Sequence, residues 1–193
     1  FYHACSYAKV DSSHFMNITA KVALRMIPDS LATQPIFLCV DDTMVAKAGT
    51  RFENVSKLFD HAAHNGSNYL NGHCFVSIML CIPVWKNDRV SYLSLPLGYR
   101  MWQKKESKLE LAASMIRQVM PEFQEKKQVI ILCDSWYTKR NLVSIVDEYL
   151  NLDLIGNARI DSVMYAPAHT GRRGRPAKHG KRLTVETSYY EQK

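Results

Sequence analysis

The chain has 193 residues, 47% of them hydrophobic, and a formal net charge of +7. This length and apolar content suit one well-buried domain with a small appendage and exclude wholesale disorder. The longest apolar stretch, residues 74–84, is interrupted by Ser77 and Pro83 and falls short of the ~18 residues a membrane-spanning helix requires.

In chain order, Phe15, Ile18, Val22, Leu24 and Met26 recur at helical spacing and predict a helix over residues 14–27 that stops before Pro28. Residues 35–40 (PIFLCV) are an uninterrupted apolar run, read as a strand buried on both faces, and the run ends in Asp41, Asp42 and Thr43. Residues 44–71 are irregular and predict a long connection with one helical turn over 55–63. A long apolar strand follows at 73–84, then a turn at Lys86, Asn87 and Asp88, then an antiparallel partner over 90–97. Ser107 and Glu110 have capping-box spacing ahead of the stripe Leu109, Ala112, Ala113, Ile116, Val119 and Met120, which marks a helix start. Residues 129–133 form a second uninterrupted apolar strand that delivers Asp134 at its end. Leu142, Ile145, Val146, Tyr149 and Leu150 then predict an amphipathic helix, and residues 152–156 a short strand.

Three antiparallel strands followed by alternating helix and strand is the order of an RNase H-like fold, an α/β mixed sheet flanked by helices. The expected division is an N-terminal helical segment (1–34), the core (35–160) and the beginning of a basic β-rich insertion (161–193). In that architecture the first and fourth strands are neighbours, so the carboxylates at their ends meet. Carboxylates brought together away from water need a proton or a cation, and a divalent metal is the simplest neutraliser. Each aspartate alone also fits a plain turn-capping role, since Asp is common just after strands.

The five cysteines are odd in number and four fall inside predicted strands; without a secretory pattern they read as reduced core thiols of a cytosolic protein. Asp60, His61, His64, His73 and Cys74 fit no standard zinc spacing. The charge is local: Arg172, Arg173, Arg175, Lys178, Lys181 and Arg182 carry six of the net +7 and no acid lies among them. Basic side chains interleaved with Gly and Pro suit a phosphate backbone, although such a run also serves as a solvated loop. Arg173, Gly174, Arg175 and Pro176 reproduce the core of a minor-groove AT-hook.

Five stretches together resemble a known family: VDDT at residues 40–43 with Lys47 and Gly49 following, NYLNGH at 68–73, LPLGYR at 95–100, LCDSWY at 132–137, and RRGRPAKHGKR at 172–182. They are similar to bacterial insertion-sequence transposases of the DDE type, in the branch with a β-rich insertion before its last acid. The resemblance implies a first catalytic acid followed at the third position by Ser or Thr, which picks Asp41 with Thr43; Asp42 is its rival, since adjacent strand residues face opposite ways. The second acid is Asp134, and Tyr137 also matches the family. The third, a Glu on a later helix, is expected outside this chain, which reads as a fragment; Glu186 and Glu191 lie in strand-like sequence and are not assigned.

The chemistry so implied is DNA strand cleavage and transfer with Asp41 and Asp134 holding Mg²⁺ or Mn²⁺, double-stranded DNA as substrate, a homodimer on DNA, and a bacterial cytoplasmic location. Lys47, Arg100, Lys139 and Arg140 are candidate phosphate contacts, and Trp136 a candidate base-stacking side chain. The alternatives are a DNA-binding remnant without catalysis and another RNase H-like nuclease. A downstream helix bearing Glu separates the enzyme from the remnant, and the long basic insertion argues against a compact nuclease.

Overall fold

The computed structural model describes residues 12–49, 51–59, 68–123, 127–159, 162–166, 168 and 178–183, and the chain divides into two compact units, Phe1–Asn157 and Ala158–Lys193. The first unit runs α1 (Ser12–Arg25), β1 (Ile36–Ala46), β2 (Ser56–Phe59), β3 (Tyr69–Lys86), β4 (Arg89–Met101), α2 (Lys108–Val119), β5 (Val129–Cys133), the single turn α3 (Arg140–Val143) and β6 (Leu152–Gly156). β1 lies between β3, its antiparallel partner, and β5, its parallel partner, and β6 extends the parallel side. Gly72 pairs with both Ala46 and Ser56, and Phe75 with both Thr43 and Met101, so β2 and β4 share the other edge of β3. The order β4-β3-β1-β5-β6, three antiparallel strands then two parallel, is the RNase H-like order expected from the sequence.

Strand alternation explains the core. Leu38 and Val40 of β1 stand opposite Leu80 and Ile78 of β3, and Ile36 and Leu38 stand opposite Val129 and Ile131 of β5; all are at most 3% exposed. Against this face pack Met16, Ala20 and Ala23 of α1, Ala112, Met115, Ile116 and Val119 of α2, and Leu142 and Ile145 beyond β5. Each fully buried Leu or Ile contributes roughly 1.5–3 kcal/mol, so this one face holds the unit together. The close seat of α1 depends on Gly98, where an added Cβ would stand 2.9 Å from the Met16 Cγ. At the other end of the β3–β4 hairpin, Asn87 and Asp88 take φ of 50° and 56°, values that their short polar side chains tolerate in a two-residue turn.

The structure departs from the sequence reading in three places. β1 continues past Asp41 to Ala46, and the expected long connection contains β2, with β3 beginning at Tyr69. Pairing along β3 carries these polar residues into the sheet, overriding their weak local propensity; residues 60–63 of the expected helical turn lie outside the described residues. The expected helix over 142–150 is α3 followed by a 3-10 turn, Ser144–Glu148. Finally, β1 and β5 are buried on one face only among the described residues: Phe37, Cys39, Ile130 and Leu132 are intermediate.

In the second unit β7 (Met164–Tyr165) pairs antiparallel with β8 (Arg182–Leu183), and the Tyr165 ring stacks on His179 at 4.9 Å. No helix among the described residues is long and apolar enough to cross a membrane. Cys39, Cys74, Cys81 and Cys133 carry free thiols.

Candidate active site

The parallel ladder between β1 and β5 ends with Val40 opposite Cys133, so Asp41 and Asp134 are the next residue on each chain segment. Alternation along β1 turns Asp41 away from the buried Val40 side, and it is exposed. Its Oδ1 accepts the Asp42 N–H at 2.8 Å, and no other bond to this carboxylate forms among the described residues. Asp134 is also exposed and closes a turn, its Oδ1 accepting from the N–H of Trp136 at 3.0 Å and of Tyr137 at 3.2 Å. The turn-capping role is therefore real, and it leaves the second oxygen of Asp134 without a bond among the described residues.

Asp42 has the opposite environment. It lies on the helix-covered face with its side chain 18% exposed, and three donors converge on it. Lys108 Nζ donates to Oδ2 at 2.7 Å, the Cys74 thiol to Oδ2 at 3.4 Å, and the Tyr137 hydroxyl to Oδ1 at 3.1 Å. Lys108 reaches it because the Ser107–Glu110 capping box, with Ser107 Oγ accepting the Glu110 N–H at 3.1 Å and Glu110 Oε2 accepting the Ser107 N–H at 2.9 Å, starts α2 just there. The positive end of the helix dipole adds to the attraction for Asp42. The ammonium also sits over the rings of Trp136, at 5.1 Å, and Trp102, at 5.6 Å.

The ionisation equilibria reflect this packing. Burial, then the Asp42 charge and hydrogen bond, raise the Tyr137 phenol well above its ordinary range. For Lys108, burial works to lower the pKa, but the Asp42 hydrogen bond and charge outweigh it and the net shift is upward. Burial pushes the Cys74 thiol up to about 11, opposed by Lys108 and reinforced by Asp42.

The model of the DDE superfamily endonuclease family matches residues 1–192. The chain belongs to the DDE superfamily endonucleases. A comparison with curated proteins gives no match. Among solved structures, the chain is similar to the Drosophila P element transposase strand transfer complex, at 8% identity over 72% of this chain and 30% of that one, with a TM-score of 0.34. It is also similar to the Mos1 transposase paired-end complex with the left transposon end (11% identity, 81% and 49% coverage, TM-score 0.33) and to the Mos1 strand transfer complex (13%, 81% and 48%, 0.31). The chain spans between 30% and 49% of the length of these relatives.

In this DDE endonuclease chain the other sequence candidates are dispersed. Arg100 bonds to Ser114 at 3.2 Å and to Gln118, which ties it to α2. Lys139 and Arg140 are exposed beside the Asp134 turn, with Lys139 Nζ 4.4 Å from the Trp136 ring. Lys47 lies 5.5 Å from the Phe52 ring at the far end of β1. Lys178, Lys181 and Arg182 are exposed in the second unit, whereas Arg172, Arg173, Arg175, His61, His64, Glu186 and Glu191 lie outside the described residues. No group of three or more metal-capable His, Cys, Asp or Glu side chains forms among the described residues. Sequence reasoning missed Lys108, Cys74 and Trp102: Lys108 is 66 positions from Asp42, and its one local signal was the capping residue before it.

Proposed function

We propose that this chain is the catalytic core of an insertion-sequence DDE transposase, cutting and joining DNA strands by phosphoryl transfer, with Asp41 and Asp134 as ligands for Mg²⁺ or Mn²⁺. The observation that carries this reading is the β1–β5 register, whose last pair, Val40 and Cys133, immediately precedes Asp41 and Asp134. The choice of Asp41 over Asp42 rests on engagement, because Asp42 already satisfies an ammonium, a hydroxyl and a thiol, whereas Asp41 accepts a single backbone N–H among the described residues. Hard oxygen donors on two exposed carboxylates fit such an ion, which keeps several waters and uses one or two carboxylates plus substrate phosphate.

When bound, a divalent ion supplies positive charge to the scissile phosphate and to the oxygens that attack and leave. The chain's own groups do the rest. Asp41 and Asp134 hold the ion's charge just beyond the last β1–β5 pair. Lys139 and Arg140, exposed just beyond the Asp134 turn, meet phosphates of the bound strand. The basic run, Arg172, Arg173, Arg175, Lys178, Lys181 and Arg182, holds duplex DNA through its backbone, and two copies act on paired ends.

The test is Asp134→Asn and Asp41→Asn in the full-length protein, assayed for nicking of transposon ends in Mg²⁺ and for DNA binding by gel shift. Each variant is expected to lose cleavage and keep binding. An Asp134→Asn protein that still nicks removes Asp134 from the site.

A further inference from the structure

We infer that Asp42, Lys108 and Tyr137 form a positioning clamp that holds the turn carrying Asp134 against β1, beside Asp41. The inference deepens the proposed metal site and rests on it.

Asp134 lies beyond the last ladder pair of β5, so the strand itself does not orient it. What orients it is two amides, those of Trp136 and Tyr137, and both residues are tied to one point on β1. The Tyr137 ring is 0% exposed and spans the gap, its N–H on Asp134 Oδ1 and its hydroxyl on Asp42 Oδ1. The Trp136 indole covers Lys108 and meets the Tyr137 ring edge-on, with centroids 5.0 Å apart. Lys108 in turn is ion-paired to the other oxygen of Asp42. The contacts close a ring: Asp134, Trp136, Lys108, Asp42, Tyr137 and back to Asp134.

Asp42 is itself no ligand in the proposed site, but its backbone follows directly from that of Asp41. A stiff aromatic side chain bonded at both ends thus fixes the position of the Asp134 turn relative to the backbone that carries Asp41. Ligand carboxylates need such support, since a site loosened by about 1 Å no longer matches its ion. The clamp residues touch neither substrate nor metal; they act through Asp134.

The test uses the full-length protein with Mn²⁺ alone as the probe. Mn²⁺ affinity is measured by calorimetry, and exchange of the Trp136 and Tyr137 amides is followed without metal. Tyr137→Phe and Lys108→Gln are each expected to weaken Mn²⁺ affinity about tenfold and to speed exchange at those two amides, with Lys108→Arg restoring both. Ile145→Val, a core change at a residue that makes none of the ring's contacts, is expected to leave affinity unaltered. Unchanged affinity in both clamp variants, with Asp134→Asn weakening it, overturns the clamp and leaves the metal site standing. An equal loss in Ile145→Val also overturns it, by reducing the effect to general destabilisation. If Asp41→Asn and Asp134→Asn both leave Mn²⁺ affinity unchanged, the metal site falls and the clamp with it. Should one clamp variant fail to fold, the other decides.

Discussion

Replacing Asp42 by asparagine should destabilise the fold, whereas the same change at the adjacent Asp41 should not. The Lys108–Asp42 pair is 2.7 Å apart with both side chains 18% exposed, so removing the carboxylate leaves an ammonium largely shielded from water between two indoles. Breaking a fully buried pair costs about 3–5 kcal/mol and an exposed one roughly 0–1. The residual exposure, and the carbonyl oxygen that asparagine still offers to Lys108 or Tyr137, bring the expected loss to about 2–3 kcal/mol. For a chain of this size that corresponds to a fall in Tm of roughly 4–12 °C. Asp41 is exposed and accepts one N–H, which the asparagine oxygen can accept equally, so its change should stay within about 0.5 kcal/mol. Urea unfolding of both variants, with Lys108→Met completing a double-mutant cycle against Asp42→Asn, measures the difference and the coupling. Equal stabilities of the two Asn variants, or a coupling near zero, would refute the assignment of Asp42 as the ion-paired acid and Asp41 as the exposed one.

Three further outcomes are expected. Changing the six basic residues from Arg172 to Arg182 to Gln should weaken duplex binding and flatten its salt dependence, by a slope of about 0.9 for each phosphate no longer neutralised; the same slope at several salt concentrations would mark the run as a solvated loop. The Cys74 thiol is pushed up to about 11 in the fold from an ordinary 9.0, so its contribution is present below pH 9 and is lost as pH rises from 9 through 11; Cys74→Ser, which can still donate to Asp42, should lose that part of the alkaline fall in Tm. Gly156→Ala would drive a Cβ into the Thr138 methyl, 3.0 Å from the Cys133 Sγ and 3.2 Å from the Cys133 carbonyl oxygen, and should cost roughly 1–3 kcal/mol in thermal unfolding.

The parts of the fold legible in the sequence are those set by short-range pattern. The apolar runs of β1 and β5, the Asn87–Asp88 turn and the Ser107–Glu110 cap each announce themselves within a few residues. What was hidden depends on partners far along the chain. Asp41, Asp42 and Thr43 look like a strand end, yet β3 continues the ladder past them as far as Ala46. The run IFLCV has no polar alternation, so it does not reveal that Ile36, Leu38 and Val40 face the helices and Asp41 does not. Leu142 and Ile145, three apart, fit a 3.0-residue period as well as a 3.6-residue one, and the structure uses the tighter turn after Val143. For the site, both acidic segments, Asp41–Asp42 and Asp134, were legible, but the group that occupies Asp42 comes from the first turn of a helix whose sequence gives no sign of its target.

The most direct test of the central assignment is to locate Mn²⁺ by anomalous scattering in crystals of the full-length protein soaked with the ion. The expected result is a peak within ligand distance of carboxylate oxygens of both Asp41 and Asp134, with Asp42 still bonded to Lys108 and Tyr137. A peak ligated by Asp42, with Lys108 displaced, would contradict the assignment.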